Sequence, residues 1–371
     1  MKNGDVAASG TLQVSLPAGS SKEVKLPLPA LQQESGAEYL LNVYAYTKYP
    51  SEMIPEGHEV AREQFVLNGN SYFAGQKSTT GAIDMKEENN VLFFTCGDVR
   101  ISFNKRNGEL NGYRYQDKML LGHAPQPQFW RAPTDNDFGN RMGILCNVWR
   151  TAGQNKEFKG MNVERKDGAV TLTSIYYLRD VASDYTVKYT VYADGRVEVN
   201  GSWKAGNIAL PEIPRFGMQM TLAQEFDQFS WYGRGPWENY SDRNTASFIG
   251  KYTSTVDEQY VAYIRPQENG NKTDVRWLTL TNKEGFGLRI DGLQPLSVSA
   301  LRNYPEDFDA GLTKSQRHIN DINPRKAVVL HVDLAQRGVG GDNSWGMYPH
   351  EPYLLKAKEY TYGYVISPVA K

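Results

Sequence analysis

Hydrophobic and polar residues alternate along most of this chain, in short runs bounded by glycine, proline, serine and asparagine. Alternation with a period of two predicts β-strands that bury one face. Before residue 75 it occurs in four runs, "GTLQVSLPAG", "KEVKLPLPAL", "EYLLNVYAYT" and "HEVAREQFVL". Four short strands so close together predict a small β-sandwich of the immunoglobulin type.

The start of the chain modifies this picture. Asn3-Gly4 is a strong signal for a tight hairpin, yet only Met1 and Lys2 precede it as a first strand. We therefore expect the sandwich to lack its first strands, and the chain to be part of a longer polypeptide.

A polar, glycine-rich stretch, "NGNSYFAGQKSTTGAIDMKEENN", follows the fourth run and predicts a linker. Beyond it the alternation resumes in hairpins such as "NVLFFTCGDVRISFNKRNGEL" and "DYTVKYTVYADGRVEVNGSW", whose turns carry Asn-Gly and Asp-Gly. A long continuous series of hairpins favours one large sandwich of two sheets. We predict an all-β chain with a truncated immunoglobulin-like sandwich at 1–74, a linker at 75–90 and the large sandwich at 91–371.

Charge and composition exclude several classes of partner. The 41 basic and 42 acidic residues nearly cancel, so neither nucleic acid nor an anionic membrane is expected to bind. No apolar run approaches the roughly 20 residues that span a bilayer. Cys96 and Cys146 lie far apart, show no metal or redox spacing and do not fix the compartment. The localisation therefore stays open.

A search for familiar catalytic motifs finds none. The chain has no Gly-x-Ser-x-Gly elbow, phosphate-binding loop, dinucleotide fingerprint or His-Glu-x-x-His helix. Its five histidines are scattered without a shared spacing. In "VVLHVDL" the strand period places His331 on one face with Val329 and Asp333, which indicates a sheet residue.

Four clusters combine polar groups, aromatics and turn formers in a way that alternation does not require. They are "QFWRAPTDNDFGN" (128–140), "WYGRGPWENYSDR" (231–243), "RPQENGNKTDVRW" (265–277) and "GVGGDNSWG" (338–346). Arg131, Arg243 and Arg276 could clamp carboxylates such as Glu238, Asp242 or Glu268, and for the second and third clusters we favour this interpretation as ordered structural loops. In the fourth, Trp345 follows a glycine-rich turn, and its flat indole suits either packing or stacking on a sugar ring.

The four motifs resemble, in order and approximate spacing, the C-terminal part of β-galactosidases of glycoside hydrolase family 2. The segment before residue 75 resembles the immunoglobulin-like domain that follows the catalytic barrel in those enzymes. The resemblance implies a galactose-mutarotase-like supersandwich after that domain, which agrees with the strand pattern. It also implies a parent polypeptide that hydrolyses terminal β-D-galactosides.

In that family the catalytic acid and nucleophile are two glutamates of the barrel, so we expect no catalytic residue in this chain. Retaining hydrolysis needs two carboxyl groups about 5 Å apart, and no pair here recommends itself. Asp135 and Asp137 lie in a turn rich in backbone donors, which favours their ionised forms. The resemblance implies that Trp345 forms an apolar wall of the galactoside site and that Asp135, Asn136 and Asp137 bind substrate near its mouth.

The expected partner is a β-galactoside shared with the barrel domain, in a parent enzyme that forms a homo-oligomer. No cofactor or metal is expected in this chain, and any Mg²⁺ or Na⁺ that the parent needs is expected in other domains. Two alternatives remain, a stand-alone carbohydrate-binding module and a mutarotase-like aldose epimerase. An epimerase would need a histidine and a glutamate facing each other, and only His318 and His331 lie in suitable strand contexts.

Overall fold

The computed structural model describes residues 1–29, 34–67, 72–73, 81–313 and 317–370. The chain divides into two compact units, Met1–Ala74 and Gly75–Lys371. The expected linker at 75–90 is partly a strand, because Asp84–Glu88 pairs with the strand that follows it. The remainder of that stretch before residue 81 lies outside the described residues.

The first unit contains one antiparallel pair, β1 (Leu40–Tyr46) and β2 (Glu59–Val66). These two strands match the third and fourth alternating runs. The prediction of strands in the first two runs was wrong for the described residues, since 11–29 form no ladder. Pro17, Pro27 and Pro29 lack the N–H that a ladder needs, and apolar side chains such as Leu12 and Leu26 are exposed.

The second unit is built from two antiparallel sheets. The smaller has five strands in sequence order: β3 (Asp84–Glu88), β4 (Val91–Cys96), β5 (Val99–Asn104), β6 (Glu109–Tyr115) and β7 (Lys118–Met119). The larger has twelve: β8 (His123–Gln128), β9 (Lys156–Lys166), β10 (Ala169–Leu178), β11 (Ser183–Val191), β12 (Val197–Lys204), β13 (Arg215–Ala223), β14 (Gln228–Gly235), β15 (Phe248–Thr255), β16 (Lys272–Thr281), β17 (Gly287–Leu301), β18 (Ala327–Gln336) and β19 (Glu359–Val369).

The larger sheet branches at its longest strand. Along the order β15-β14-β16-β17-β19-β12-β11-β10-β9, the 15-residue β17 pairs with β19 through its first half. Its second half pairs with β18, which continues through β13 to β8. This branch places the end of β18 and the start of β13 close to the loops around β16.

The two sheets share one hydrophobic core. Phe103 of β5 packs edge-on against Tyr189 of β11 with ring centroids 5.1 Å apart, and the Tyr113 hydroxyl donates to the Gly195 carbonyl at 2.9 Å. Trp149 and Trp203 are fully buried in the same core. The predicted all-β class and the two-sheet sandwich are therefore confirmed.

Helices are few and short: α1 (Asp135–Gly139), α2 (Met142–Leu145), α3 (Pro305–Phe308) and 3₁₀ turns at Asn147–Trp149, Arg179–Val181, Asp257–Gln259, Ile319–Asp321 and Glu351–Tyr353. None of those in the described ranges is long and apolar enough to cross a membrane. His331 lies buried within β18, so its interpretation as a sheet residue is confirmed.

Candidate functional site

The acidic turn of the first sequence cluster is a short helix, α1, with a complete N-terminal cap. The Thr134 hydroxyl accepts the Asp137 N–H at 3.2 Å, and the Asp137 carboxylate accepts the Thr134 N–H at 2.9 Å. This reciprocal capping box satisfies two backbone donors that a helix start leaves free. The capping box explains why this segment, which the sequence suggested to be a loop, forms a short helix.

The Asp137 carboxylate also holds two buried arginines. Arg131 Nη1 lies 2.8 Å from Asp137 Oδ2, and Arg337 Nη1 donates to Oδ1 at 2.6 Å. All three side chains are shielded from solvent. Arg337 Nε also donates to Glu212 at 2.8 Å, so the arginines share their positive charge with a second carboxylate. The network joins α1 to the end of β18, 200 residues away in sequence.

Asp137 was expected to bind substrate, and the structure buries it. Its side chain has no exposed surface and pairs with two arginines. Asp137 fixes α1 relative to Arg337, which directly precedes the loop that carries Trp345.

The Trp345 loop packs against the end of α1. A Cβ atom built on Gly139 would stand 2.5 Å from the Trp345 carbonyl oxygen and 2.6 Å from Gly346 Cα. Only glycine permits this approach of two main chains. Gly346 adopts φ of 133°, a conformation that side chains disfavour. Both glycines are therefore required by the contact itself.

Asparagine side chains complete the junction. Asn136 donates its amide to the Asn343 carbonyl at 3.3 Å, and Asn140 donates to the Met347 carbonyl at 3.4 Å. Within the loop, the Asn343 side chain accepts the N–H of Trp345 at 3.1 Å. The main chain on both sides of Trp345 is thus bound, whereas its indole is 78% exposed. Of the two interpretations left open by the sequence, packing of this ring within the chain is not what the structure shows.

Asp135 lies on the exposed side of α1 and contacts the third cluster. Arg265 Nε donates to Asp135 Oδ1 at 2.8 Å, and the Gln267 side chain accepts the Asp135 N–H at 2.9 Å. The Arg265 guanidinium also lies 4.3 Å from the centre of the Phe138 ring. About half of the Asp135 side chain remains exposed.

The second cluster reaches the same loop from another side. Asp242 accepts the Gly340 N–H at 2.9 Å. In the same cluster Arg243 pairs with Glu238 at 2.6 Å, as the structural interpretation predicts. Arg131 also clamps a carboxylate, that of Asp137, and Arg276 donates to the Asp274 carbonyl at 2.6 Å.

A second buried charge cluster lies on the sheet beneath these loops. Arg215 donates to Glu268 at 3.0 Å and lies 3.4 Å from Asp333 of β18. Burial raises the pKa of Asp333 to about 8, although Arg215 opposes the shift. Burial and Arg215 lower the pKa of His331 well below its usual value. Both shifts favour the neutral forms of Asp333 and His331.

Four sequence clusters thus meet at one place, and the residues that join them were only partly foreseen. Arg337 lies between a predicted strand and the fourth cluster. The residues around it in the sequence do not indicate that its side chain is buried in an ion pair. Arg265 and Gln267 belong to a cluster interpreted as structural. A glycine, Gly139, directly after an aromatic in an acidic turn was the one local signal of close main-chain contact. Among the described residues, no group of three or more His, Cys, Asp or Glu is arranged to hold a metal ion.

Fold and loops together define an all-β chain that presents an exposed tryptophan on an anchored loop. The family model described as "Beta galactosidase small chain" matches residues 95–366, and the model "Beta-galactosidase, domain 4" matches residues 1–68. The chain belongs to the β-galactosidase small-chain family. The family resemblance carried by the four motifs is therefore confirmed.

Curated relatives support the same family. A β-galactosidase of Priestia megaterium is 34% identical over 370 residues, which cover 99% of this chain and 35% of the relative. One from Halalkalibacterium halodurans is 30% identical over 345 residues, covering 91% and 33%. This chain thus spans about a third of the length of these relatives. A solved galactose mutarotase related enzyme from Lactobacillus acidophilus covers 78% of this chain at 8% identity, with a TM-score of 0.37.

Proposed function

We propose that this chain is a non-catalytic part of a β-galactosidase and completes a galactoside site formed mainly by a barrel domain. The observation that carries the proposal is the Trp345 indole, which is 78% exposed on a loop whose main chain is anchored from several sides. An aromatic face held in this way can stack on the apolar face of a sugar ring. Aromatic pairs contribute about 0.5–1.5 kcal/mol beyond area burial, and by analogy we expect a contribution of that order from an indole–sugar contact.

The polar residues of α1 have two further roles, hydrogen bonding to the sugar and positioning of the loop. Asp135 and Asn136 lie on α1 at the edge of the proposed site, and the half-exposed Asp135 carboxylate can accept sugar hydroxyls. Buried Asp137 positions α1 and the loop. The chemical step belongs to the two glutamates that the family places on the barrel, so the chain contributes affinity and specificity rather than bond cleavage.

Hydrolysis of a chromogenic β-galactoside tests this division. The purified chain is expected to show no turnover. A chimera in which it replaces the matching third of the Priestia megaterium enzyme is expected to hydrolyse the substrate. In the chimera, Trp345→Ala should raise KM about 5- to 150-fold, the equivalent of 1–3 kcal/mol for loss of an aromatic anchor. Turnover by the chain alone, abolished by changing one of its own carboxylates, would contradict the proposal.

The epimerase alternative gains no support from the geometry. An aldose epimerase must present a histidine and a carboxylate to an open sugar site. His331 is buried and hydrogen-bonded to Gln219 and Ser299. His318 is at the start of a 3₁₀ turn, where its backbone N–H donates to Asp321. We therefore retain the shared galactoside site as the proposal.

A further inference from the structure

The segment that follows α1, residues 142–149, is apolar on both of its sides. Its outer side chains are Ile144, Leu145, Asn147 and Val148, and the three apolar ones are 37–50% exposed. The outer face of a surface helix is normally polar, whereas a helix that is apolar all round is normally buried. The outer side of this segment therefore has the character of a contact surface.

The inner side fixes the segment on the second unit. Met142, Cys146 and Trp149 are buried in the core, and the Trp149 indole donates to the Pro211 carbonyl at 3.2 Å. The Trp149 ring also packs edge-on against Trp203, with ring centroids 5.3 Å apart. Because the segment is anchored in this way, its outer side chains remain exposed in the isolated chain.

The same surface continues to the Trp345 loop. Asn140 connects the two, because its side chain donates to the Met347 carbonyl at 3.4 Å and accepts the Met142 N–H at 3.2 Å. Met347 and Tyr348 follow Trp345 in the loop and are 43% and 44% exposed. We name five residues together the α2 surface: Ile144, Leu145, Val148, Met347 and Tyr348.

The chemistry of the α2 surface favours an apolar protein partner. None of its five side chains carries a charge, so it offers no electrostatic attraction to a nucleic acid or an anionic headgroup. Contact with an apolar protein surface would remove these side chains from water, which is the main favourable term in most protein association.

The position of the surface decides between two protein partners. A second copy of this chain, docked here by a two-fold contact, would lie across the Trp345 loop and restrict the access of a sugar to the indole. The curated relatives extend well beyond the matched region, since this chain covers only 35% and 33% of two of them. We infer that the α2 surface docks the domain that supplies the rest of the galactoside site. This inference rests on the proposed function, and it assigns the docking to residues outside the proposed sugar contacts.

Thiol labelling of cysteine substitutions tests the docking, in the purified chain and in the Priestia megaterium chimera. The natural Cys96 and Cys146 are buried, and burial raises the pKa of the Cys146 thiol to about 12, so neither should label. Ile144→Cys and Leu145→Cys should label rapidly in the chain and at least about tenfold more slowly in the chimera, because the docked domain would cover them. Phe93→Cys, at a 45% exposed position on β4 of the smaller sheet, is the matched control and should label equally in both proteins.

A charge in the surface provides a second readout. Leu145→Asp should leave the melting point of the chain unchanged, because the side chain is half exposed. In the chimera it should restore rapid labelling of Ile144→Cys, since a carboxylate opposes contact with an apolar partner. Label taken up by the unsubstituted chain and by the unsubstituted chimera is subtracted in each case.

The possible results separate the docking from the proposed function. The inference is overturned if Ile144→Cys and Leu145→Cys label at the same rate in the chain and in the folded chimera. Slow labelling in the chain alone, together with a dimer in sedimentation, would assign the surface to a second copy and overturn it as well. Protection in a chimera that folds but does not hydrolyse β-galactosides would support the docking and contradict the proposed function.

Discussion

Gly139 of α1 lies directly against the main chain of Trp345, at a distance that leaves no room for a side chain. This single contact joins two segments that are more than 200 residues apart in sequence. It fixes the base of the Trp345 loop without covering the indole. The position of the tryptophan therefore depends on a glycine that has no chemistry of its own.

Gly139→Ala is expected to displace the Trp345 loop. The added Cβ would stand 2.5 Å from the Trp345 carbonyl oxygen, and relief of that overlap should cost about 1–3 kcal/mol. Urea unfolding measures the cost, and amide exchange across 338–346 reports the displacement. Gly143→Ala in α2 is the matched control, because its nearest neighbour would be 3.9 Å from the new Cβ. Equal effects of the two changes would contradict the tight contact.

Asp137→Asn is expected to destabilise the second unit strongly. The substitution leaves Arg131 and Arg337 buried with one carboxylate fewer, and loss of one partner from a buried ion pair costs about 3–5 kcal/mol. Asp135→Asn is the control, since its half-exposed pair with Arg265 should contribute only about 0–1 kcal/mol. Denaturant titration of both variants should separate them clearly. Similar losses would mean that the buried network has no special role.

The sequence predicted strands such as β4, β5, β11 and β12 of the second unit because these alternate locally. The sequence did not predict that the four clusters meet at one place. The pairs Asp137–Arg337 and Gly139–Trp345 depend on how β18 leaves the branched sheet, and such long-range register leaves no local pattern. The same limit applies to Asp137, which the sequence places in one turn with Asp135. In the helix that forms, the one side chain faces solvent and the other the core.

The first unit shows the opposite error. The runs containing Leu12 and Leu26 alternate as well as any strand in the chain, yet they remain unpaired. Alternation reports which face of a strand is apolar, whereas a strand also needs a neighbouring edge to pair with. Pattern alone therefore overestimated the ordered sheet of this unit.

Asp333 is expected to make stability fall as pH rises. Burial raises its folded pKa to about 8, whereas an unfolded aspartate titrates near 3.9. Between these values the folded state binds more protons, so the free energy of unfolding decreases with pH until about pH 8. Asp333→Asn removes this contribution, and unfolding measured at intervals from pH 5 to 8 should show a less negative slope than the wild type.

The histidine on the same strand does not obscure this result. His331 has a lowered folded pKa, so its contribution to stability is lost as pH falls through the unfolded value of about 6.5. It acts in the opposite direction and is common to both proteins, so it cancels in the comparison. Identical slopes for the wild type and Asp333→Asn would show that Asp333 is ionised throughout.

Trp345→Ala is expected to leave the fold of the chain intact. With 78% of the side chain exposed, its truncation removes little buried surface and creates no cavity. Trp231→Ala is the matched control, because that indole is 1% exposed and stacks on Phe229 with ring centroids 4.8 Å apart. Removal of a core tryptophan costs about 3–5 kcal/mol. Thermal unfolding should therefore give Trp345→Ala the melting point of the wild type and Trp231→Ala one many degrees lower. A large drop for Trp345→Ala would mean that the indole packs against the chain in solution, and the exposed wall on which the proposed galactoside site depends would not exist.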